Sequence, residues 1–110
     1  MTSDLDAIFS ALAHPSRREI LARLAKGKAT VNELADPIKM SLPAVSRHIR
    51  VLEEAGLIDR SRKAQFRPCR LKPDALVEIE NWTAQYRHIW ANRLDAMEQT
   101  LARMKDGKDD

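Results

Sequence analysis

The segment from Met40 to Ile58 (MSLPAVSRHIRVLEEAGLI) constrains the fold more strongly than any other part of this chain of 110 residues. Val45, Ile49 and Leu52 recur at intervals of three or four residues, which predicts an amphipathic helix with one face packed against a core. A short helix gains most of its stability from packing that face against other elements. The fold is therefore expected to be built around this helix.

The opposite face of the predicted helix, which runs from Ser41 to about Ala55, carries polar and basic side chains. On a helical wheel centred on Val45, Arg47 and Arg50 point most directly away from the core. His48 falls nearer to the boundary, where a packed, hydrogen-bonded structural role is the alternative to a contact with DNA. The guanidinium groups are candidates for contacts with guanine edges or phosphates, and the hydroxyls for either. The alternative is a solvated helix face without a partner. The remaining residues of the outer face are Pro43, Ala44 and Ser46.

Two short helices are predicted at the start of the chain. The first begins at Ser3, with acidic residues in its first turn, and is interrupted before Pro15 because a residue that precedes proline disfavours the helical conformation. The second begins at Pro15 and ends at Gly27. The apolar residues of the two helices are Leu5, Ile8, Phe9, Leu12, Ile20, Leu21 and Leu24.

A third short helix is predicted to begin at Thr30, because Glu33 follows at the spacing of a capping box. Pro37 is expected to end it. Its inward-facing residues are predicted to be Val31, Leu34 and Ala35. Together with the helix that Ser41 caps, it forms two helices joined by a short turn.

A basic hairpin is predicted after these helices. Two runs with rough period-two character, residues 57–62 and 66–71, flank a polar bend at residues 63–65. Pro68 predicts an unpaired edge on the second strand. Residues 57–72 hold six basic residues and one acidic residue, a local net charge of +5 in a chain whose formal total is +3. Such a local excess favours a polyanionic partner.

The C-terminal part of the chain carries a long apolar stripe. Large apolar residues recur every three or four positions from about residue 73 to residue 104, which predicts one long helix. A chain of this size has few surfaces with which to cover such a stripe, so burial against the same helix of a second subunit is expected. A ligand pocket between the subunits is the alternative for the aromatic residues. The predicted interface residues are Leu5 and Ile8 of the first helix, with Trp82, Tyr86, Ile89, Trp90, Leu94, Met97 and Leu101.

The chain offers little raw material for catalysis or for metal binding. Its one cysteine, Cys69, has no internal disulfide partner, and His14, His48 and His88 lack metal-ligand spacing. No nucleophile–base pair or Gly-rich phosphate loop is apparent, so no enzyme activity, cofactor or metal is expected. No apolar run approaches the roughly 20 residues of a membrane helix. With no secretory signal pattern at the N-terminus, a cytoplasmic location is expected.

These elements together predict a mainly α fold with a small β-hairpin wing, the winged helix-turn-helix. A helix fits the major groove of B-form DNA, while the wing reaches the flanking backbone or the minor groove. The predicted domain covers residues 1–104, including a dimerisation helix over about residues 73–104, and residues 105–110 form a charged tail.

The segments LAHPSRREILARL and ELADPIKMSLPAVSRHIRVLEEAGLI, with the basic hairpin that follows them, resemble the ArsR/SmtB family of dimeric bacterial winged-helix repressors. The resemblance covers roughly residues 5 to 101. It implies a homodimer that binds an imperfect inverted repeat in a promoter and represses transcription. The DNA-reading residues that it implies are Ser41, Pro43, Ala44, Ser46, Arg47 and His48 in the helix, with Arg62, Lys63 and Arg67 in the wing.

The chain departs from the sensor-bearing members of that family. Metal-sensing members carry a Cys-x-Cys-type motif in the third helix or paired ligands in the last one, where this chain has only Asp74 and His88. Thiol-switch members need two cysteines. Three hypotheses for the stimulus stay open: an unidentified small apolar effector at the aromatic stripe, oxidation of Cys69, or no effector. The alternative function is a protein-interaction module whose winged helix docks an acidic protein partner.

Overall fold

The structure is a computed structural model and describes residues 3–61 and 67–107. It divides into two compact units, of which the first ends at Ile79 and the second begins at Glu80. No helix within the described ranges combines the length and the apolar character needed to cross a membrane. The described elements in chain order are α1 (Ser3–Leu12), α2 (Pro15–Leu24), α3 (Val31–Ile38), α4 (Leu42–Glu54), β1 (Ile58–Arg60), β2 (Cys69–Leu71), α5 (Asp74–Ala84) and α6 (Arg87–Gly107).

The core of the first unit is built around α4. Val45, Ile49 and Leu52 are at most 1% exposed, which confirms the inner face predicted from their spacing. Burying one such side chain fully stabilises the fold by roughly 1.5–3 kcal/mol, so α4 is held firmly on that side. The other elements of the unit contribute the remaining large core residues, which are Ile8, Ile20, Leu24, Leu34, Leu57, Ile58 and Cys69.

Side-chain caps define the starts of α3 and α4, as predicted. The Thr30 hydroxyl accepts from the Glu33 N–H at 3.2 Å, and the Glu33 carboxylate accepts from the Thr30 N–H at 2.9 Å, which completes a capping box. Hydrogen bonding from Thr30, above all from its backbone, holds the pKa of Glu33 below its usual value. The Ser41 hydroxyl accepts from the Ala44 N–H at 3.3 Å at the start of α4.

Pro37 does not end α3, contrary to the prediction. The helix continues to Ile38 and ends where Lys39 adopts a left-handed conformation with φ of 60°. The Lys39 N–H then donates to the Ala35 carbonyl oxygen at 3.0 Å. A proline this close to the end of a helix removes only one backbone hydrogen bond, so the last turn still forms.

The wing begins as an antiparallel pair of short strands, with Ile58 opposite Leu71 and Arg60 opposite Cys69. The predicted bend at residues 63–65 lies outside the described residues. The predicted unpaired edge of β2 is wrong at Cys69, which exchanges two backbone hydrogen bonds with Ala29, of 2.7 Å and 3.0 Å. Pro68 lacks a donor one residue earlier, so the bridge forms beside it.

The apolar C-terminal stripe lies on two helices, where one was predicted. The chain turns at Gln85 and Tyr86, whose N–H groups donate to the carbonyl oxygens of Trp82 and Thr83 in tight i to i−3 bonds. The Thr83 hydroxyl donates to the Glu80 carbonyl oxygen at 3.0 Å. A pattern of apolar spacing reports which face of a helix is apolar and does not reveal such a turn.

Candidate nucleic-acid interface

The outer face of α4 presents the basic side chains that the sequence predicted for it. Arg47 and Arg50 are exposed, and neither makes a hydrogen bond or an ion pair with another residue of the described ranges. Ser46 and Pro43 are exposed beside them, and Ala44 is half-buried. The guanidinium donors are therefore available to an external acceptor, while the buried inner face fixes the direction of the helix.

Ser41 lies at the N-terminal end of this face and is exposed. Its hydroxyl oxygen accepts the capping hydrogen bond of α4. The hydroxyl hydrogen is still available to an acceptor outside the chain. Ser41 can therefore cap the helix and contact a partner at the same time.

His48 is half-buried and is oriented toward α2. Its Nδ1 accepts a hydrogen bond from Nε of Arg17 at 3.2 Å, and its ring centre lies 4.4 Å from that of His14. Partial burial, followed by coulombic interactions with His14, Arg17 and Arg47, lowers the pKa of His48. The structure thus gives His48 partners inside the chain, as in the packed, hydrogen-bonded alternative to the contact with DNA that the family resemblance implies.

Arg17 is a residue of this site that the sequence did not indicate. Besides its bond to His48, its Nη1 donates to the Ser10 carbonyl oxygen at 3.4 Å. His14 accepts from the Ser16 N–H at 3.2 Å and caps the start of α2, in agreement with its predicted place at a helix end. Arg17 and His48 are 31 positions apart, and no local pattern predicts such a contact.

The wing is described only at its base. Arg67 is exposed and has a positive φ of 44°, while Arg62 and Lys63 lie outside the described residues. Nε of Arg70 donates to Asp59 across the hairpin at 2.8 Å, so part of the local positive charge is balanced within the wing. The net charge of +5 counted over residues 57–72 already includes Asp59, so this ion pair leaves that excess unchanged.

A sensor in this chain would depend on metal-ligating side chains or on Cys69. Within residues 3–61 and 67–107, no three His, Cys, Asp or Glu side chains lie together in a way that could hold a metal ion. Cys69 is 0% exposed, and burial raises the pKa of its thiol. A protonated and buried thiol reacts slowly, so this environment does not favour the redox hypothesis.

The residues predicted at a subunit interface fall into two groups. Ile8 is 1% exposed and belongs to the core of its own unit, so the prediction of an interface role is wrong for its side chain. Leu5, the other predicted interface residue of α1, is half-buried. In the second unit the apolar stripe is open to solvent, with exposures from 38% at Trp82 to 65% at Ile89. The other open residues of the stripe are Tyr86, Trp90, Leu94, Met97, Leu101 and Met104.

Comparison with known proteins agrees with this geometry. A family model described as a helix-turn-helix domain matches residues 12–61. The HTH-type transcriptional regulator Rv2034 of Mycobacterium tuberculosis is 39% identical over 96 residues, which cover 87% of this chain and 87% of that protein. The transcriptional repressor SdpR of Bacillus subtilis is 32% identical over 82 residues, which cover 74% of this chain and 91% of that protein.

A solved structure shows the same fold. The crystal structure of an ArsR family transcriptional regulator matches with a TM-score of 0.73 and 40% identity, over 80% of this chain and 97% of the other. The chain belongs to the ArsR/SmtB family of winged helix-turn-helix, DNA-binding transcriptional regulators.

Proposed function

We propose that the protein is a sequence-specific transcriptional repressor that acts in the cytoplasm as a homodimer on an inverted-repeat operator. The observation that carries this proposal is the pair of exposed arginines, Arg47 and Arg50, on a helix whose opposite face is almost completely buried. A helix held in one direction offers its donors at fixed positions, as readout of base edges requires.

The contacts on DNA divide into two kinds. Arg47 and Arg50 are assigned to guanine edges or adjacent phosphates in the major groove, with Ser46 beside them. Arg67, together with Arg62 and Lys63, is assigned to the flanking backbone or minor groove. Phosphate contacts supply most of the affinity through counterion release, and base contacts supply the choice of sequence.

The exposed stripe of the second unit supports the homodimer. Large apolar side chains of α6, such as Trp90, Leu94 and Leu101, are 38–62% exposed in the single chain. A continuous apolar surface of this kind indicates an interface. Two copies related by a two-fold axis would present two α4 helices to half-sites about 34–36 Å apart, so the operator is expected to be an inverted repeat.

Selection of duplexes from random-sequence DNA tests the proposal directly. The wild-type chain should enrich an inverted repeat, and its affinity for that duplex should fall steeply as salt rises from about 50 to about 200 mM. The double variant Arg47→Ala/Arg50→Ala should lose most of this affinity. Arg103→Ala serves as the control because it removes an exposed positive charge of α6, which belongs to the other compact unit.

Two results would count against the proposal. One is equal binding of the selected duplex by wild type and by the Arg47→Ala/Arg50→Ala variant. The other is a single-subunit mass in light scattering across the concentrations used for DNA binding, since an inverted repeat requires two copies. Failure to enrich any sequence, with retained capture of an acidic protein, would favour the protein-interaction alternative.

A further inference from the structure

We infer that Arg17 and His48 act as a positioning pair for the DNA-reading helix, and that tight DNA binding requires His48 to be unprotonated at Nδ1. This inference rests on the proposed function and adds a regulation of the same site.

The pair lies where three helices of the first unit meet. The Arg17 side chain, on α2, donates from Nε to Nδ1 of His48 on α4 at 3.2 Å. The same guanidinium donates from Nη1 to the carbonyl oxygen of Ser10 on α1 at 3.4 Å. One side chain therefore links the end of α1 to the middle of α4, the helix that carries Arg47 and Arg50.

Both imidazoles at this corner act as hydrogen-bond acceptors. Nδ1 of His48 accepts from Arg17, and Nδ1 of His14 accepts from the Ser16 N–H at 3.2 Å. A ring nitrogen that accepts a hydrogen bond carries no proton, and both nitrogens of a charged imidazole are donors. The hydrogen bond from Arg17 to His48 therefore exists only while Nδ1 of His48 carries no proton.

The groups around His48 oppose its protonation. His14 and Arg17 face it from α2 and its cap, Arg47 faces it from α4, and no described carboxylate forms an ion pair with it. Partial burial and these charges lower the pKa of His48 below its ordinary value of 6.5. Protonation would break the bond to Arg17 and place like charges side by side. This stabilising contribution is complete above pH 6.5 and is lost as the pH falls through the lowered pKa.

The direction of the pH effect distinguishes positioning from contact with DNA. A histidine that touches a phosphate binds better when it is charged, so acidification would strengthen the complex. A histidine that helps to position α4 through an accepted hydrogen bond has the opposite effect, because its protonation removes one of the contacts that orient the helix. DNA binding should then expel the proton, and the pKa of His48 should fall when DNA is added.

The test uses the full chain and a duplex selected by the wild type from random-sequence DNA at about pH 8. Fluorescence anisotropy measures affinity from about pH 8 to about pH 5.5 at constant ionic strength. His48→Asn places an amide oxygen near the position of Nδ1, where it accepts a hydrogen bond and does not titrate. Arg17→Met removes the donor of the hydrogen bond to His48. Arg103→Met is the matched control, because it removes one positive charge from α6 in the other compact unit.

We expect the wild-type affinity to fall by about threefold or more on acidification, since each unit of pKa change is worth a factor of ten. His48→Asn should bind the duplex as tightly as the wild type at pH 8, and its affinity should not fall on acidification. The affinity of Arg103→Met should fall on acidification as that of the wild type does. Arg17→Met should bind more weakly at pH 8 than Arg103→Met does. A wild-type affinity that stays level or rises on acidification overturns the inference, and so does an unchanged slope in His48→Asn.

Two further measurements keep the outcomes distinct. Circular dichroism at each pH shows whether the chain is folded; if it unfolds in acid, equal affinities of Arg17→Met and Arg103→Met at pH 8 overturn the inference. NMR titration of the His48 ring gives a direct reading, in which DNA should lower the pKa and a rise overturns the inference. If the wild type binds no duplex at pH 8, the proposed function itself has failed, and the inference fails with it.

Discussion

Replacing Leu52 with alanine tests whether α4 is fixed by its buried face. Leu52 is 0% exposed and belongs to the core of the first unit. A Leu→Ala change at such a site costs about 2–5 kcal/mol, because transfer energy is lost and a cavity remains. With a total stability of about 5–15 kcal/mol for a domain, this is a large share. A loss of about 3 kcal/mol lowers the urea midpoint by roughly 1–3 M.

The matched control is Leu101→Ala, which removes the same atoms from a residue that is 62% exposed in the single chain. Urea unfolding followed by circular dichroism at two protein concentrations compares the variants. Leu52→Ala should lower the midpoint at both concentrations. Leu101→Ala should act mainly through dimerisation, so its effect should change with concentration. If Leu52→Ala lowered the free energy of unfolding by less than about 1 kcal/mol, the claim that the buried face fixes α4 would be refuted, because so small a loss is typical of an exposed position.

Four further predictions follow from the surroundings of single residues. Thr30→Ala should lower the free energy of unfolding by about 1 kcal/mol, because it removes the cap of α3. The lowered pKa of Glu33 stabilises the fold at pH values above 4.5, its usual pKa, and this stabilisation is lost as the pH falls. Glu33→Gln should therefore make the stability depend less steeply on pH in the acidic range. Cys69 should react with iodoacetamide far more slowly in the folded chain than in urea, because its thiol is buried and its pKa is raised. Gly56→Ala should lower the free energy of unfolding by about 1–2 kcal/mol, because a φ of 78° is strained for alanine. An added Cβ would meet no atom within 4 Å, so thermal unfolding measures the backbone strain alone.

The parts of the fold that follow from local chemistry were predictable from the sequence. The capping box at Thr30, the cap at Ser41 and the inner face of α4 each depend on residues at most one or two turns apart. The two caps form within the segment that carries the pattern, and the spacing of Val45, Ile49 and Leu52 sets which face of α4 packs against the core. The structure confirms these predictions, and the same local logic placed Arg47 and Arg50 on the exposed face.

The errors arose where contacts between distant segments, or backbone competition, decide the outcome. Ala29 pairs with Cys69 across forty residues of sequence, and Arg17 bonds to His48 across 31. The turn at Gln85 follows a threonine hydroxyl that bonds within its own helix. Apolar periodicity reports which face of a helix is buried, and it contains no information on these polar contacts.

The two faces of α4 have separate physical roles, and His48 lies where they meet. Changes at a buried position such as Leu52 alter the free energy of unfolding, whereas changes at Arg47 remove an exposed donor that supports no part of the core. His48 is half-buried, bonded to α2 and adjacent to Arg47 in the chain. A proton added there acts on a hydrogen bond within the fold and, through the direction of α4, on the arginines proposed to contact DNA. The side chain on the boundary is thus where a change in solution conditions could reach DNA affinity without a dedicated ligand.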